Sequence, residues 1–204
     1  MARRPQFQPR SQRSFRRRVG TRKLRERFLI VCEGEKTEPN YFRRFRVPKD
    51  VVGLDVRGIG ANTSSLVQEA IELRSQDTYD QVWCVLDRDS FPAENFNAAL
   101  ALAAANNIQV AYSNEAFELW YLLHFHYYQT AITRASYIKK LSALLEFKYE
   151  KNSEHMYDLL ESKQSTAVRH AEKLLEEYSE FTPEKNNPST TVHWLVKELN
   201  KFVV

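Results

Sequence analysis

The chain has little that would staple it or anchor it. Only two cysteines occur in its 204 residues, Cys32 and Cys84, and both sit inside apolar runs. Free cysteine in such a setting behaves as a small buried hydrophobe, so neither a disulfide framework nor a thiolate metal site is expected. No apolar run approaches the length of a membrane span, and the N-terminus lacks the hydrophobic segment of a secretory signal. A soluble, cytoplasmic protein with no membrane partner is the expectation. A phosphate-cradling loop of the type G-x-x-x-x-G-K followed by Ser or Thr is absent, so ATP-driven work would have to come from another chain. No internal repeat is evident. What remains is 43% apolar and 12% aromatic, enough to bury one proper core with appendages.

Charge is distributed unevenly. Residues 1–27 hold Arg3, Arg4, Arg10, Arg13, Arg16, Arg17, Arg18, Arg22, Lys23, Arg25 and Arg27 against the single acid Glu26. Taking those eleven from the chain's 30 basic residues, and Glu26 from its 26 acidic ones, leaves 19 and 25, so the body is mildly acidic. The segment 1–26 mixes Arg with Gln, Ser and Pro and is expected to be a largely disordered arm. Arginine favours two-pronged phosphate pairing, and each neutralised phosphate releases counterions without reading sequence. Arg13, Arg16, Arg17, Arg18, Arg22 and Lys23 are therefore candidate nucleic-acid contacts. The competing reading is a solvated tail that aids solubility or docks an acidic partner.

From residue 27 onward, strands alternate with helices. Residues 27–32 form a continuous apolar strand, and Pro39 opens a helix. Residues 52–56 alternate as a second strand. Ser65 to Gln68 resembles a capping box for a helix to about residue 75. Residues 81–86 give a third strand, 95–106 an alanine-rich helix and 108–112 a fourth strand. Helical periodicity then takes over at 116–125, 135–147, 166–178 and 190–202, the last announced by Asn187-Pro-Ser-Thr-Thr. The expected fold is α/β: a Rossmann-like parallel sheet of about four strands flanked by helices, in a domain over 27–204 whose helical extension occupies about 113–204.

Two strands end in bursts of carboxylates. The first delivers Glu33-Gly34-Glu35-Lys36-Thr37-Glu38, and the third delivers Asp87-Arg88-Asp89. Hard divalent cations need oxygen ligands on a rigid scaffold. In an open parallel sheet ligands bind outside the carboxyl ends of the strands where the strand order reverses, which in the flavodoxin-like order lies between strands one and three. Under that topology Glu33 meets Asp87 and Asp89 across one crevice, with Arg88 turned away or toward substrate phosphate. Lys36 in the acidic loop is either a phosphate contact or a solvated lysine. Asn114, Glu115 and Glu118 follow the fourth strand near the same edge; Glu118 is the favoured addition to a metal shell, against a surface glutamate that caps a helix. His124 and His126 read as a partly buried pair among aromatics rather than zinc ligands, and His170 as a surface residue.

The strand ending in Glu33-Gly34, with Asp87-x-Asp89 after a later strand, resembles the TOPRIM domain of topoisomerases, bacterial primases and OLD-family nucleases. The stretches Val31-Cys-Glu-Gly-Glu-Lys-Thr-Glu-Pro-Asn-Tyr-Phe42, Ser113-Asn-Glu-Ala-Phe-Glu-Leu-Trp-Tyr-Leu-Leu-His-Phe125 and Asn187-Pro-Ser-Thr-Thr191 together resemble the RloB-like proteins, a family associated with restriction loci and abortive phage infection and related to the AbiLii proteins. The resemblance covers about residues 27–204. It implies Glu33 as general acid/base or metal ligand and Asp87 and Asp89 as ligands of Mg²⁺, with Mn²⁺ as substitute. It leaves the role of a further glutamate to Glu38 or Glu35.

Three functions follow. The leading one is a metal-dependent nuclease acting on DNA or RNA in anti-phage defence, with an AAA- or ABC-type ATPase encoded nearby as partner. The second is a non-catalytic module that binds nucleic acid or a nucleotide, and the third a regulatory interaction subunit. If the arm holds phosphates, removing residues 1–24 weakens nucleic-acid binding and flattens its dependence on salt, measured as affinity across a salt series. Unchanged affinity and slope would instead favour the solvated tail.

Overall fold

A computed structural model of the chain describes residues 25–60, 62–89 and 92–203. The arm contacts expected at Arg13, Arg16, Arg17, Arg18, Arg22 and Lys23 lie outside the described residues. Five strands form one sheet in the order β2-β1-β3-β4-β5. They are β1 (Glu26–Cys32), β2 (Val52–Gly58), β3 (Gln81–Asp87), β4 (Gln109–Asn114) and β5 (Ser189–Thr190). The first four run parallel, and β5 pairs antiparallel with β4.

The central strands read as continuous apolar runs because both of their faces are covered. In β1, Phe28, Ile30 and Cys32 face one core while Leu29 and Val31 face the other; β3 divides Trp83 and Val85 from Val82, Cys84 and Leu86 in the same way. The smaller core is closed by α2 (Thr63–Gln76) and α3 (Ala93–Ala105). The larger gathers α1 (Thr37–Arg43), α4 (Glu118–Leu123), α5 (Arg134–Leu145), α6 (Met156–Leu160), α7 (Gln164–Glu176) and α8 (Val192–Asn200). Within it, the Tyr41 ring lies 5.3–5.9 Å from those of Phe42, Phe45, Phe117, Tyr121 and Tyr157, which ties α1 to α4 and α6. No helix of the described residues is long and apolar enough to cross a membrane.

Several boundaries move from their expected places. The cap of α2 is Asn62, whose Oδ1 accepts from the Ser65 N–H at 3.0 Å and the Ser65 hydroxyl at 2.7 Å, so the helix starts before the expected capping box. Helix α1 begins at Thr37, two residues before Pro39. The fifth strand occupies Ser-Thr residues expected to open a helix. Thr190 Oγ1 donates to the Tyr112 carbonyl at 2.9 Å, and the Tyr112 N–H donates to Thr191 Oγ1 at 2.9 Å. Those hydroxyls satisfy the edge of β4, with Thr190 Oγ1 also accepting the Val192 N–H at 3.3 Å where α8 begins, and a two-residue strand carries no periodicity that a sequence could display.

The edge of β2 also shapes the loop that follows β1. The pairing of β1 and β2 continues past both strands through Ile59 N–H to Cys32 O and Gly60 N–H to Glu33 O, each 3.0 Å. Gly58 is pressed by this loop: a Cβ there would lie 2.7 Å from Gly34 O and Pro39 Cγ and 2.8 Å from Glu35 O. Gly53, by contrast, would meet only the flexible end of the Arg25 side chain, at 3.1 Å or more. Gly58→Ala is therefore expected to destabilise by about 1–3 kcal/mol, and Gly53→Ala by much less, as read from urea unfolding. Equal effects would contradict this packing.

Candidate functional site

Strand order reverses between β1 and β3, as β1 leads outward to β2 and β3 leads outward to β4. Glu33 is the first residue after β1, and Asp87 the last residue of β3. The two are joined directly: Glu33 Oε2 accepts the Asp87 N–H at 3.0 Å, and Glu33 Oε1 accepts the Thr63 hydroxyl from the start of α2 at 3.3 Å. Glu38, in the first turn of α1, lies against Gly34, where any Cβ would overlap its carboxylate. Glu118, the first residue of α4, is 2% exposed; its Oε1 accepts the Tyr149 hydroxyl at 3.3 Å and lies 4.0 Å from Lys151 Nζ.

Glu33, Glu38, Asp87, Glu118 and Lys151 line one cavity of about 450 Å³ with Glu35, Lys36, Asp89 and Arg134. Arg134 Nη2 donates to Asp87 Oδ2 at 2.7 Å, while Asp87 Oδ1 is buried with no hydrogen-bond partner among the described residues. The loop carrying Lys151 is strapped to α1, because Thr37 Oγ1 donates to the Lys151 carbonyl at 2.8 Å and Asn40 Nδ2 to the Asn152 carbonyl at 3.2 Å.

Crowded carboxylates in a space poor in water hold their protons more tightly. Burial pushes Glu38 up to about 7, and the charges of Glu118 and Glu33 add to it. Burial likewise raises Asp87 well above the carboxylate range, with Glu38 next in effect and Arg134 acting in the opposite sense. Glu33 is raised by burial and by Asp89, against the Asp87 N–H and the Thr63 hydroxyl, which favour its charged form. For Arg134, burial works against its charge, but Asp87, Glu118 and Asp89 together leave it more strongly basic than usual.

The donor set suits a hard cation in kind, being all carboxylate oxygen with one buried oxygen unclaimed. The arrangement is open, however: among the described residues no three Asp, Glu, His or Cys side chains are close enough to hold one ion together. Arg134 and Lys151 supply the positive charge instead.

A family profile described as "RloB-like protein" matches residues 28–199. The chain belongs to the RloB-like family. No curated protein and no solved structure matches it. The matched stretch runs from β1 into α8, so every cavity residue of this RloB-like chain falls within it and residues 1–27 fall outside.

The structure brings Glu33, Glu35, Lys36, Glu38, Asp87, Asp89 and Glu118 to one cavity. Arg88 lines a neighbouring space of about 350 Å³ with Glu115, Glu184 and Lys185, and Asp89 borders both. Asn114 lines that neighbouring space too, its Nδ2 donating to the Asn186 carbonyl at 2.9 Å. The histidine expectations need correction. His124 is buried and bonds the Trp120 carbonyl through Nδ1, whereas His126 is exposed, because the chain leaves α4 between them. His170 is not a free surface residue: its Nδ1 lies 2.8 Å from the Leu123 carbonyl and pins α7 to α4.

Arg134, Lys151, Tyr149 and Thr63 were not foreseen. Arg134 carried one readable signal, a cation at the first position of a helix, where the macrodipole disfavours it. The other three lie far along the chain from the bursts and reach them only through tertiary packing.

The proton affinity of Glu38 has a consequence for stability in this RloB-like fold. Its folded value of about 7 stands above the ordinary 4.5, so the folded state keeps a proton that the unfolded chain has released between those values. Stability from this group is full below the lower value and is lost as pH rises through the upper one. Glu38→Gln is expected to flatten that decline and to gain up to about 3 kcal/mol at pH 8 relative to wild type, measured as denaturant midpoints at several pH values. A variant that declines as steeply as wild type would contradict the crowding.

Proposed function

We propose that this chain is a TOPRIM-type nuclease that hydrolyses phosphodiester bonds of DNA or RNA with Mg²⁺, Mn²⁺ substituting, in bacterial anti-phage defence. The observation that carries the reading is the meeting of Glu33 and Asp87 at the strand-order reversal, with Asp87 Oδ1 buried and unpartnered in the shared cavity. Asp87, Asp89 and Glu33, too far apart to hold an ion together as they stand, would have to draw in around the cation, and Glu38, Glu35 and Glu118 line the same space as further oxygen donors. When bound, such a cation supplies Lewis-acid charge to a phosphoryl oxygen and eases ionisation of water.

The chain's own residues account for the rest. Glu33, whose proton affinity burial raises, is placed to take a proton from the attacking water, and the Asp87 N–H fixes its orientation. Lys36 and Lys151 put positive charge on the rim where a phosphate backbone would lie. An unrestrained nuclease would injure its own cell, so a licensing partner belongs to the proposal, and an AAA- or ABC-type ATPase encoded nearby fits it. The cytoplasm is where both nucleic acid and such a partner are met.

A second reading has its own support. With Arg134 on Asp87 and Lys151 near Glu118, the cavity balances part of its charge internally, as a module that binds nucleic acid or a nucleotide without cutting would.

The test is cleavage of DNA and of total RNA with and without Mn²⁺. Asp87→Asn and Glu33→Gln are expected to lower cleavage about a hundredfold or more while leaving the melting transition cooperative. Cleavage equal to wild type in both variants would remove the enzyme reading. Binding without cleavage in every variant, wild type included, would select the module.

A further inference from the structure

The cavity carries its own cation at an awkward place. Arg134 is 36% and Asp87 14% exposed, so their pair sits at the mouth rather than in the core. A guanidinium binds a carboxylate best as a two-pronged fork, yet only Nη2 to Oδ2 is made, and Asp87 Oδ1 stays without a partner. Arg134 also occupies the first position of α5, a twelve-residue helix whose positive end repels it. Thr133, not Arg134, caps that helix, accepting from the Ser136 N–H. The contact thus depends on the carboxylates around it: Asp87 directly, Glu118 and Asp89 at longer range.

We propose that Arg134 is the resident counter-ion of the cavity: it neutralises Asp87 while no divalent cation is bound, yields Asp87 when one enters, and then presents its guanidinium to a substrate phosphate at the mouth. This rests on the metal-dependent reading above and adds a role for a residue that the acidic bursts do not contain. The displacement has a thermodynamic signature. A cation must break the Arg134–Asp87 pair to bind, and the freed guanidinium gains a phosphate only afterwards. Cation and phosphate backbone therefore bind with positive coupling, and reciprocity requires each to tighten the other by the same factor. The arrangement also keeps the site from loading fully before substrate arrives, as suits an activity that must stay silent.

The experiment is calorimetric titration of the full chain with Mn²⁺ at pH 8, with and without a single-stranded oligonucleotide whose backbone resists hydrolysis. Arg134→Gln is expected to bind Mn²⁺ about tenfold more tightly than wild type, to bind the oligonucleotide less tightly and to lose the coupling. Arg134→Lys, which keeps the charge without the planar fork, should fall between the two and guards against misfolding of the first variant. Mn²⁺ affinity in Arg134→Gln equal to or weaker than wild type, with wild type cleaving normally, would overturn the counter-ion role and leave the nuclease reading standing. Tighter Mn²⁺ binding in Arg134→Gln, with no cleavage by wild type on any substrate, would keep the counter-ion role and overturn the nuclease.

Discussion

Repulsion among carboxylates that share one partly buried space is the interaction around which this molecule is arranged. Six of them line the cavity at the carboxyl ends of β1 and β3. Left alone, such a cluster would protonate or push its loops apart, since like charges in a poorly hydrated space interact far more strongly than in water. The raised proton affinities of Glu38, Asp87 and Glu33 come first from burial, and the neighbouring carboxylates add to it. Stability is being given up here, as is common where a protein holds a functional site together.

The rest of the fold supplies the restraint. Backbone bonds beyond the ends of β1 and β2 fix the Glu33 loop, and Gly58 leaves the room that loop needs. Thr63 at the start of α2 and the Asp87 N–H hold the two oxygens of Glu33. On the far side, the aromatic packing around Tyr41 ties α1 to α4 and so fixes Glu38 relative to Glu118. Arg134 and Lys151 then offset the charge without filling Asp87 completely. In the proposed reading, the Arg134 guanidinium is the internal cation that a divalent ion would displace.

The sequence makes the parallel sheet legible because its strands and helices alternate with clean periodicity, and strand-order rules then place Glu33 beside Asp87. It revealed Glu118 only as a favoured addition, since burial of a helix-start glutamate depends on what packs over it. Boundaries were less readable. Asn62 caps α2 through a side chain that could equally have served a turn, and Ser189 and Thr190 form a strand too short for any pattern. Arg134 escaped because its partner lies 47 residues away, a pairing set by the packing of α5 against α4. His170 escaped for the same reason, docking on Leu123 from another helix.

The central claim is that this carboxylate cavity is built to take a divalent cation. Anomalous diffraction from crystals of the full chain grown with Mn²⁺ tests it most directly. The account predicts a peak inside the cavity, against Asp87 and Glu33, with the Arg134 guanidinium no longer bonded to Asp87 Oδ2. A cavity without a peak, with Arg134 still on Asp87 at saturating Mn²⁺, would contradict it.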